Sequence, residues 1–142
     1  MNLITDNLEA ASNVASDGLG EILSTYYDNS TVSVSPYPEF SIRELRGLDK
    51  AMQTMRGELI NNTAKLSEID KHLTYEKTKL EQAGDEFSRR RVAERLRNLE
   101  DERLARLEAA SSNREALCSQ ISRIRETINR VLIDDTTLAD KN

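Results

Sequence analysis

The feature that most constrains this chain is an apolar heptad pattern between Leu45 and Leu80. Its residues are separated by three, four or seven positions, which keeps them on one narrow face of an α-helix. They are Leu45, Leu48, Met52, Met55, Leu59, Leu66, Ile69, Leu73 and Leu80. Asn62 and Glu76 fill the two skipped positions of this face. Such a face is typical of a helix packed against another helix, so we predict a coiled-coil-like protein.

The start of this helix is marked by two signals that agree. Ser41 and Glu44 have the spacing of a capping box, in which each side chain accepts a hydrogen bond from the other residue's backbone amide. Phe40 and Leu45 have the spacing of a hydrophobic staple around the same cap. We predict a helix over 42–82 and a turn over 83–85, where Gly84 suits the left-handed conformation that often ends a helix.

A second apolar stripe begins in a new phase after Gly84 and predicts a helix over 86–133. Its members are Val92, Leu96, Leu99, Leu107, Ala110, Leu117, Ile121, Ile124, Ile128 and Val131. The wider gap between Leu99 and Leu107 reads as a stutter through Arg103. The reset of the phase favours a turn over one long bent helix, which is the alternative. The predicted fold is therefore all-α, a long antiparallel helical hairpin.

Folding the two stripes back on each other places apolar residues opposite apolar residues. Leu73 then meets Leu96, Ile69 meets Leu99, Met52 meets Leu117, Leu48 meets Ile121 and Leu45 meets Ile124. The same register brings Glu76 near Arg91, Val92 and Arg95, and it brings Asn62 near Arg106 and Leu107. A polar residue in such a seam either fixes the register at some cost in stability or is a tolerated defect, and both interpretations of Asn62 stay open.

The remaining residues are predicted to form an arm, a linker and a tail. Residues 1–40 carry six carboxylates and no Lys or Arg. We expect residues 1–27 to be an acidic amphipathic arm of one or two short helices, broken near Gly18 and Gly20, because each glycine costs about 1 kcal/mol relative to alanine. Residues 28–40, rich in Ser and Pro, are a predicted linker. Residues 134–142 are a predicted acidic tail, whose carboxylates oppose the helix dipole and fray the helix end.

The amino-acid composition argues against several classes of function. The chain has 142 residues, 32% of them charged and 4% aromatic, with a net charge of −5. That net charge argues against nucleic acid or an anionic membrane as a general partner. We expect no membrane span and no secretory signal, because neither a long apolar run nor a basic leader is present. The single cysteine, Cys118, fits a reducing compartment, either the cytoplasm or the interior of an assembled particle.

No catalytic or metal-binding pattern stands out. His72 is the only histidine, and no second His or Cys lies close enough in sequence to complete a site with it. Cys118 has no neighbouring histidine that would activate its thiol. We therefore predict that the chain is not an enzyme and uses no cofactor, metal or small-molecule substrate.

Two groups of residues are candidates for binding a partner. The first is the Arg-rich segment beside the turn, made of Arg89, Arg90, Arg91, Arg95 and Arg97. These guanidinium groups have three possible targets, which are nearby glutamates of the chain, an acidic protein surface, and nucleic-acid phosphates. The second group is apolar and comprises Ile128, Val131, Leu132, Ile133, Leu19, Ile22 and Tyr26. Its first four members project past the start of the first long helix, so either the arm with Tyr37 or another chain must cover them.

These patterns are generic and identify no family. The function that we expect is that of a non-enzymatic structural or adaptor subunit, which assembles through its coiled-coil hairpin into a larger protein complex. Hairpin parts of phage particles and secretion machines are similar in outline. One alternative is a regulatory or inhibitory protein that binds one target through the Arg-rich segment or the acidic arm. A nucleic-acid-binding accessory factor is the lesser alternative. Self-association or a permanent partner is expected, because two helices alone bury one seam.

Overall fold

The computed structural model describes residues 6–28 and 42–140, with side chains described for residues 7–24 and 42–131. These ranges contain three helices, α1 (Asp6–Asp28), α2 (Ile42–Gln82) and α3 (Glu86–Asp140), and no strand. The prediction of an all-α helical hairpin is confirmed, and α2 has the predicted ends. The Ser41 cap, the Phe40 staple, the last two residues of the tail, and all of the predicted linker over 28–40 except Asp28, which ends α1, lie outside the described residues.

The predicted break in the arm is wrong, because α1 is one continuous helix of 23 residues through Gly18 and Gly20. The intrinsic cost of two glycines is offset by tertiary packing. Leu8, Ala15, Leu19 and Ile22 recur on one face of α1 and are buried. Burying a large aliphatic side chain contributes about 1.5–3 kcal/mol, more than one glycine costs.

The predicted end of the second long helix is also wrong. α3 continues to Asp140 instead of stopping at Ile133, so most of the predicted tail is helical. Neither Gly nor Pro occurs between 134 and 140 to stop the helix. Carboxylates near a helix C-terminus cost only about 0.3–1 kcal/mol each at an exposed site, which is too little to end a helix that has no breaker.

The chain divides into two compact units, each of which is described by itself. The turn unit comprises Gly57–Arg114, together with Met1–Ile4, which lie outside the described residues. The arm unit comprises Thr5–Arg56 and Glu115–Asn142. Parts of α2 and α3 therefore occur in both units, whereas α1 belongs to the arm unit.

The core of the turn unit is a single seam between α2 and α3. Its central cluster contains Ile69, Leu73, Val92 and Leu96, with Leu80 and Leu99 packed against it. Leu73 and Leu96, which were predicted to meet, are thus in one cluster, and Leu99, which was predicted opposite Ile69, packs against the cluster that contains Ile69. Leu59, Leu66 and Ala110 are the other buried apolar residues among the described residues of this unit.

The turn between α2 and α3 is tight, but it does not use the predicted left-handed glycine. The amide of Ala83 donates to the carbonyl of Leu80 at 3.3 Å, which closes the last turn of α2. Gly84 has no positive φ, so that prediction is wrong. Asp85 then caps α3, because the backbone amide of Ser88 donates to its Oδ1 at 2.9 Å.

This cap makes the stability of α3 sensitive to pH. Hydrogen bonds from the hydroxyl and then the amide of Ser88 lower the pKa of Asp85 below its ordinary value of 3.8. A carboxyl group whose pKa is lower in the folded state contributes stability above the unfolded pKa and loses it as pH falls through the folded pKa. Asp85→Ala should therefore lower the urea midpoint at pH 7, and the difference from wild type should shrink below pH 3.8.

Urea titrations followed by circular dichroism at several pH values measure this effect. Asp101→Ala is the control, because Asp101 is an exposed carboxylate in the interior of α3 that caps no helix. The control should leave the midpoint nearly unchanged. If Asp85→Ala were as neutral as the control at pH 7, the cap would contribute nothing.

In the arm unit, α1 packs against both long helices. Arg56 of α2 donates to Glu9 at 2.7 Å and to Asn13 at 3.3 Å. On the α3 side, an ideal Cβ built on Gly18 would lie 2.7 Å from Cδ1 of Ile128, so the side chain of Ile128 occupies the space that a Cβ would need at this glycine. Ile128 was predicted to be covered either by the arm or by another chain, and in the structure the arm covers it.

The α2–α3 seam of the arm unit is also well filled. Its buried side chains include Leu45, Met52, Leu117, Ile121 and Ile124, all taken from the two predicted stripes. Gln120 donates from Nε2 to the backbone carbonyl of Leu48 at 3.0 Å and is itself nearly buried. This side-chain-to-backbone bond confirms that the helices run past each other at the predicted level.

Candidate functional site

A polar network interrupts the apolar seam of the turn unit. Asn62 donates from Nδ2 to Oδ1 of Asn113 at 2.5 Å, and it accepts from Nη1 of Arg106 at 3.3 Å. Asn113 in turn donates from Nδ2 to Oε2 of Glu58 at 3.1 Å. The predicted neighbourhood of Asn62 and Arg106 is confirmed. Because Asn62 bonds to two residues of α3, the network favours the register-setting interpretation over the tolerated defect.

Two ion pairs hold the other charged residues of this seam. Nε of Arg95 lies 3.3 Å from Oε2 of Glu76, whose side chain is only 12% exposed. The pairing was predicted, but the N–H of Arg95 is not aligned for a hydrogen bond, and Oε2 has no other hydrogen-bond partner. Arg103, the stutter residue, donates from Nε to Oδ1 of Asp70 at 2.7 Å. Sequence reasoning missed this second pair, although an Arg on the seam signals a nearby carboxylate.

Replacing Asn62, the centre of the polar network, should raise the stability of the hairpin and lower the specificity of its helix register. Asn62→Leu fills a seam position with an apolar side chain, so we expect the free energy of unfolding to rise by about 1–2 kcal/mol. The loss of the bonds to Asn113 and Arg106 should at the same time allow other registers or oligomeric states. Urea denaturation measures the first effect, and analytical ultracentrifugation with amide NMR line widths measures the second.

The matched control is Asn61→Leu, which makes the same change at an exposed neighbouring position. It should change neither the stability by more than about 0.5 kcal/mol nor the oligomeric state. A loss of stability in Asn62→Leu, with one well-defined oligomeric state retained, would contradict the register-setting role of Asn62.

The Arg-rich segment lies on the exposed surface of the turn unit, at the start of α3. Arg90 pairs with Glu86 at 2.9 Å, and both side chains are largely exposed. Arg89 donates from Nε to the carbonyl of Ala83 at 3.3 Å, and the guanidinium of Arg91 lies 5.8 Å from the centroid of the Phe87 ring. Arg95 pairs with Glu76, so the segment is paired within the chain in part, as one of the three interpretations expected. Whether it also binds a partner stays a prediction.

Exposed aromatic side chains accompany the cations of this unit. These aromatic residues were not predicted as part of a site from the sequence. Phe87 is 68% exposed, and Tyr75 is 57% exposed with Nζ of Lys79 4.6 Å from its ring centroid. The signal was available, because Tyr75 falls outside the heptad seam of α2 and Phe87 lies in the first turn of α3, before its stripe begins. An aromatic residue off the seam of a solvated helix has no core to enter.

The apolar candidate residues belong to the arm unit, whereas the Arg-rich segment belongs to the turn unit. Leu19, Ile22 and Val131 are buried in the arm unit, and Ile128 packs against Gly18. The side chains of Tyr26, Leu132 and Ile133 lie outside the described ones. In this conformation the chain itself covers Leu19, Ile22 and Val131, so a partner reaches them only if α1 moves away. The structure therefore does not bring the two candidate groups together in one unit.

The arm unit also has an open groove with a volume of about 480 Å³. It is lined by Glu44, Gly47, Leu48, Ala51, Met55, Gln120, Arg123 and Thr127. Its lining mixes small, apolar and polar side chains and has no aromatic residue that would stack on a small ligand. We assign no ligand to it.

Neither a cluster of metal-ligating side chains nor a helix able to cross a bilayer occurs among the described residues. Among them, no group of three or more His, Cys, Asp and Glu residues is arranged to hold a metal ion. None of the described helices combines the length and the apolar character needed to cross a bilayer. Cys118 is an exposed free thiol.

Comparison of the chain with protein-family models, with curated proteins and with solved structures finds no match. Functional inference therefore depends on the geometry of the described residues.

Proposed function

We propose that the chain is a non-enzymatic structural or adaptor subunit that assembles through its helical hairpin into a larger protein complex. The observation that carries this proposal is the contrast, within the turn unit, between a thin core and several uncovered apolar side chains.

The core of the turn unit is small for the length of helix that it holds together. Its buried apolar residues are Leu59, Leu66, Ile69, Leu73, Val92, Leu96 and Ala110. They form one seam between two helices, and several seam positions are occupied by Asn62, Glu76 and Arg103 instead. Helical units with so few buried side chains are marginally stable without another layer. Another protein surface would supply that layer.

The exposed apolar side chains are concentrated in the same unit. Among the described side chains, the large apolar ones that stay exposed are Val14, Ile60, Tyr75, Phe87 and Leu104. All except Val14 belong to the turn unit. Single exposed apolar residues are common on protein surfaces. Four of them on a unit with a thin core are better explained by a partner, because covering each would contribute about 1.5–3 kcal/mol.

The test combines native isolation with hydrogen exchange. The tagged full chain is purified from its native cells at near-physiological salt, and the mass and stoichiometry of the complex are measured by native mass spectrometry. We expect a complex of fixed stoichiometry, in which amides of residues 57–114 exchange more slowly than in the isolated chain. An isolated monomer in the cell extract, with these amides equally protected in both preparations, would contradict the proposal.

Substitution of the exposed residues makes the test specific to the surface. Four single substitutions each remove one of these exposed side chains, and at least one of them should release the partner while helicity is retained. None of the four should strengthen the complex. They are Ile60→Ser, Tyr75→Ser, Phe87→Ser and Leu104→Ser. Val14→Ser is the matched control, because it removes an exposed apolar side chain from the arm unit. If all four variants behave like the control, the turn unit is not the assembly surface.

A regulatory protein that binds one target through the Arg-rich segment is the second candidate function. The exposed Arg89, Arg90 and Arg91 beside an exposed Phe87 favour it, since Arg and aromatic residues are enriched at protein interfaces. The triple variant Arg89→Ala/Arg90→Ala/Arg91→Ala distinguishes the two functions. Loss of a single target, with the larger assembly retained, would favour the regulator.

A further inference from the structure

We propose that the Arg-rich segment and Phe87 of one copy dock on the outer face of α1 of a second copy, so that chains join head to tail. The outer face is the stripe formed by Ala10, Val14, Asp17 and Glu21, all of which are exposed. This inference rests on the proposed function and deepens it, because it names the partner and both surfaces of one contact.

The cationic surface is well defined. Between Arg89 and Arg97 there are five Arg and one acidic residue, Glu94, which gives a local net charge of +4. Phe87, 68% exposed, adds a large apolar side chain beside these cations. The existing ion pair of Arg90 with Glu86 is largely exposed, and exposed pairs contribute little, so it exchanges readily for a partner's carboxylate.

The surface that matches it in charge is on α1. The stripe of Ala10, Val14, Asp17 and Glu21 lies on the side of α1 opposite the buried stripe of Leu8, Ala15, Leu19 and Ile22. Val14 is 64% exposed at its centre, and Asp17 and Glu21 follow it on the same face. Because the buried stripe fixes α1 in its own arm unit, the outer face is presented on a rigid element, which lowers the entropic cost of docking.

Three features favour a second copy over other anionic partners. Each copy carries both surfaces, and residues 1–40 contain no Lys or Arg that would repel the Arg-rich segment. Val14 also supplies an apolar partner for Phe87. Nucleic acid is disfavoured because Glu100, Asp101 and Glu102 follow the segment on α3 and are exposed, so a phosphate backbone that extends along α3 meets negative charge.

A contact between two different surfaces of the same chain repeats, and it forms open chains of subunits or rings. Each contact is small and charged, so we expect it to be weak by itself and to depend on salt. Sedimentation velocity of the full chain at about 50 mM salt should therefore show oligomers that grow with protein concentration, and these should dissociate at about 0.5 M salt.

The decisive experiment exchanges the charges of the two surfaces. One variant is Arg89→Glu/Arg90→Glu/Arg91→Glu, and the other is Ala10→Lys/Asp17→Lys, which keeps Val14. Each variant alone should associate at least ~10-fold more weakly than wild type, because its two surfaces then carry charge of the same sign. An equimolar mixture should associate again, because every contact between the two variants joins opposite charges.

The control is Arg123→Glu/Arg125→Glu/Arg130→Glu, which makes the same change of charge at exposed positions of α3 in the arm unit. It should retain the association of wild type. Failure of the mixture to associate, when each variant alone is monomeric and helical, would overturn the proposal. So would a wild-type chain that stays monomeric at low salt, or a labelled single-stranded oligonucleotide that binds the Arg-rich segment more tightly than a second copy does.

A second test does not depend on charge reversal or on the folding of those variants. In a Cys118→Ser background, chains with Val14→Cys and chains with Phe87→Cys are mixed and oxidised at low salt. A disulfide between the two kinds of chain should form faster than with Leu104→Cys, a control with similar exposure. Equal rates would overturn the proposal. If docking fails while the complex isolated from cells persists, the proposed function stands and only this contact is wrong.

Discussion

Leu59→Ala is expected to lower the free energy of unfolding by about 2–5 kcal/mol, which is the range for deleting a fully buried leucine side chain. Leu59 has no exposed surface, and it lies in the seam of the turn unit, where the core is thin. Few other buried side chains are available there to close the resulting cavity. Urea denaturation followed by circular dichroism measures the change.

Leu104→Ala makes the same substitution in the same unit and is the matched control. Leu104 is 56% exposed, so its truncation should change the free energy of unfolding by no more than about 0.5 kcal/mol. Comparable losses in the two variants would mean that Leu104 is covered in solution, by another chain. A loss below ~1 kcal/mol in Leu59→Ala would instead show that the seam is not closely packed.

Gly18→Leu is expected to release α1 from the arm unit. A Cβ alone at this position would lie 2.7 Å from Cδ1 of Ile128, so the Ile128 side chain has to move, and the larger leucine side chain requires a larger movement. Overpacking of this kind costs about 1–3 kcal/mol or more. Amides of residues 6–28 should exchange faster with solvent, and a dye that binds apolar surface should report exposure of Leu19, Ile22 and Val131.

Gly20→Leu is its matched control, because no atom lies within 4 Å of a Cβ built on Gly20. That variant should be neutral or stabilising, by up to ~1 kcal/mol, since leucine forms helices better than glycine does. Both substitutions have the same effect on helix propensity, so the difference between them measures the clash with Ile128. Equal stabilities would show that α1 does not pack closely on α3.

The residues of the seam were predictable because their positions follow the periodicity of two regular helices. The heptad steps and the change of phase after Gly84 predicted α2, the turn and the pairing of Leu73 with Leu96. The register of the two stripes predicted that Arg95 lies near Glu76 and that Arg106 lies near Asn62. These are relations between positions on two regular helices, and they can be read directly from the sequence.

What the sequence did not predict depends on three-dimensional contacts that have no local signal. Gly18 reads as a helix breaker until the approach of Ile128 from a distant part of the chain is known. Gly84 reads as a left-handed residue, whereas the bond from Ala83 to Leu80 closes the helix without one. Phe87 is a different case, because its position in the first turn of α3, before the apolar stripe begins, was a signal of exposure in the sequence itself.

The use of Arg alone on α3 has a chemical consequence. Eleven Arg and no Lys occur between Glu86 and Asp140, whereas Lys50, Lys65, Lys71, Lys77 and Lys79 lie on α2. A guanidinium group keeps its proton throughout the physiological pH range, and acetyl or ubiquitin groups attach to lysine amines instead. The positive charges of these arginines are therefore permanent, so neither acidification nor lysine acylation removes them. Any cellular control over what these arginines bind therefore has to act by a route other than protonation or lysine acylation.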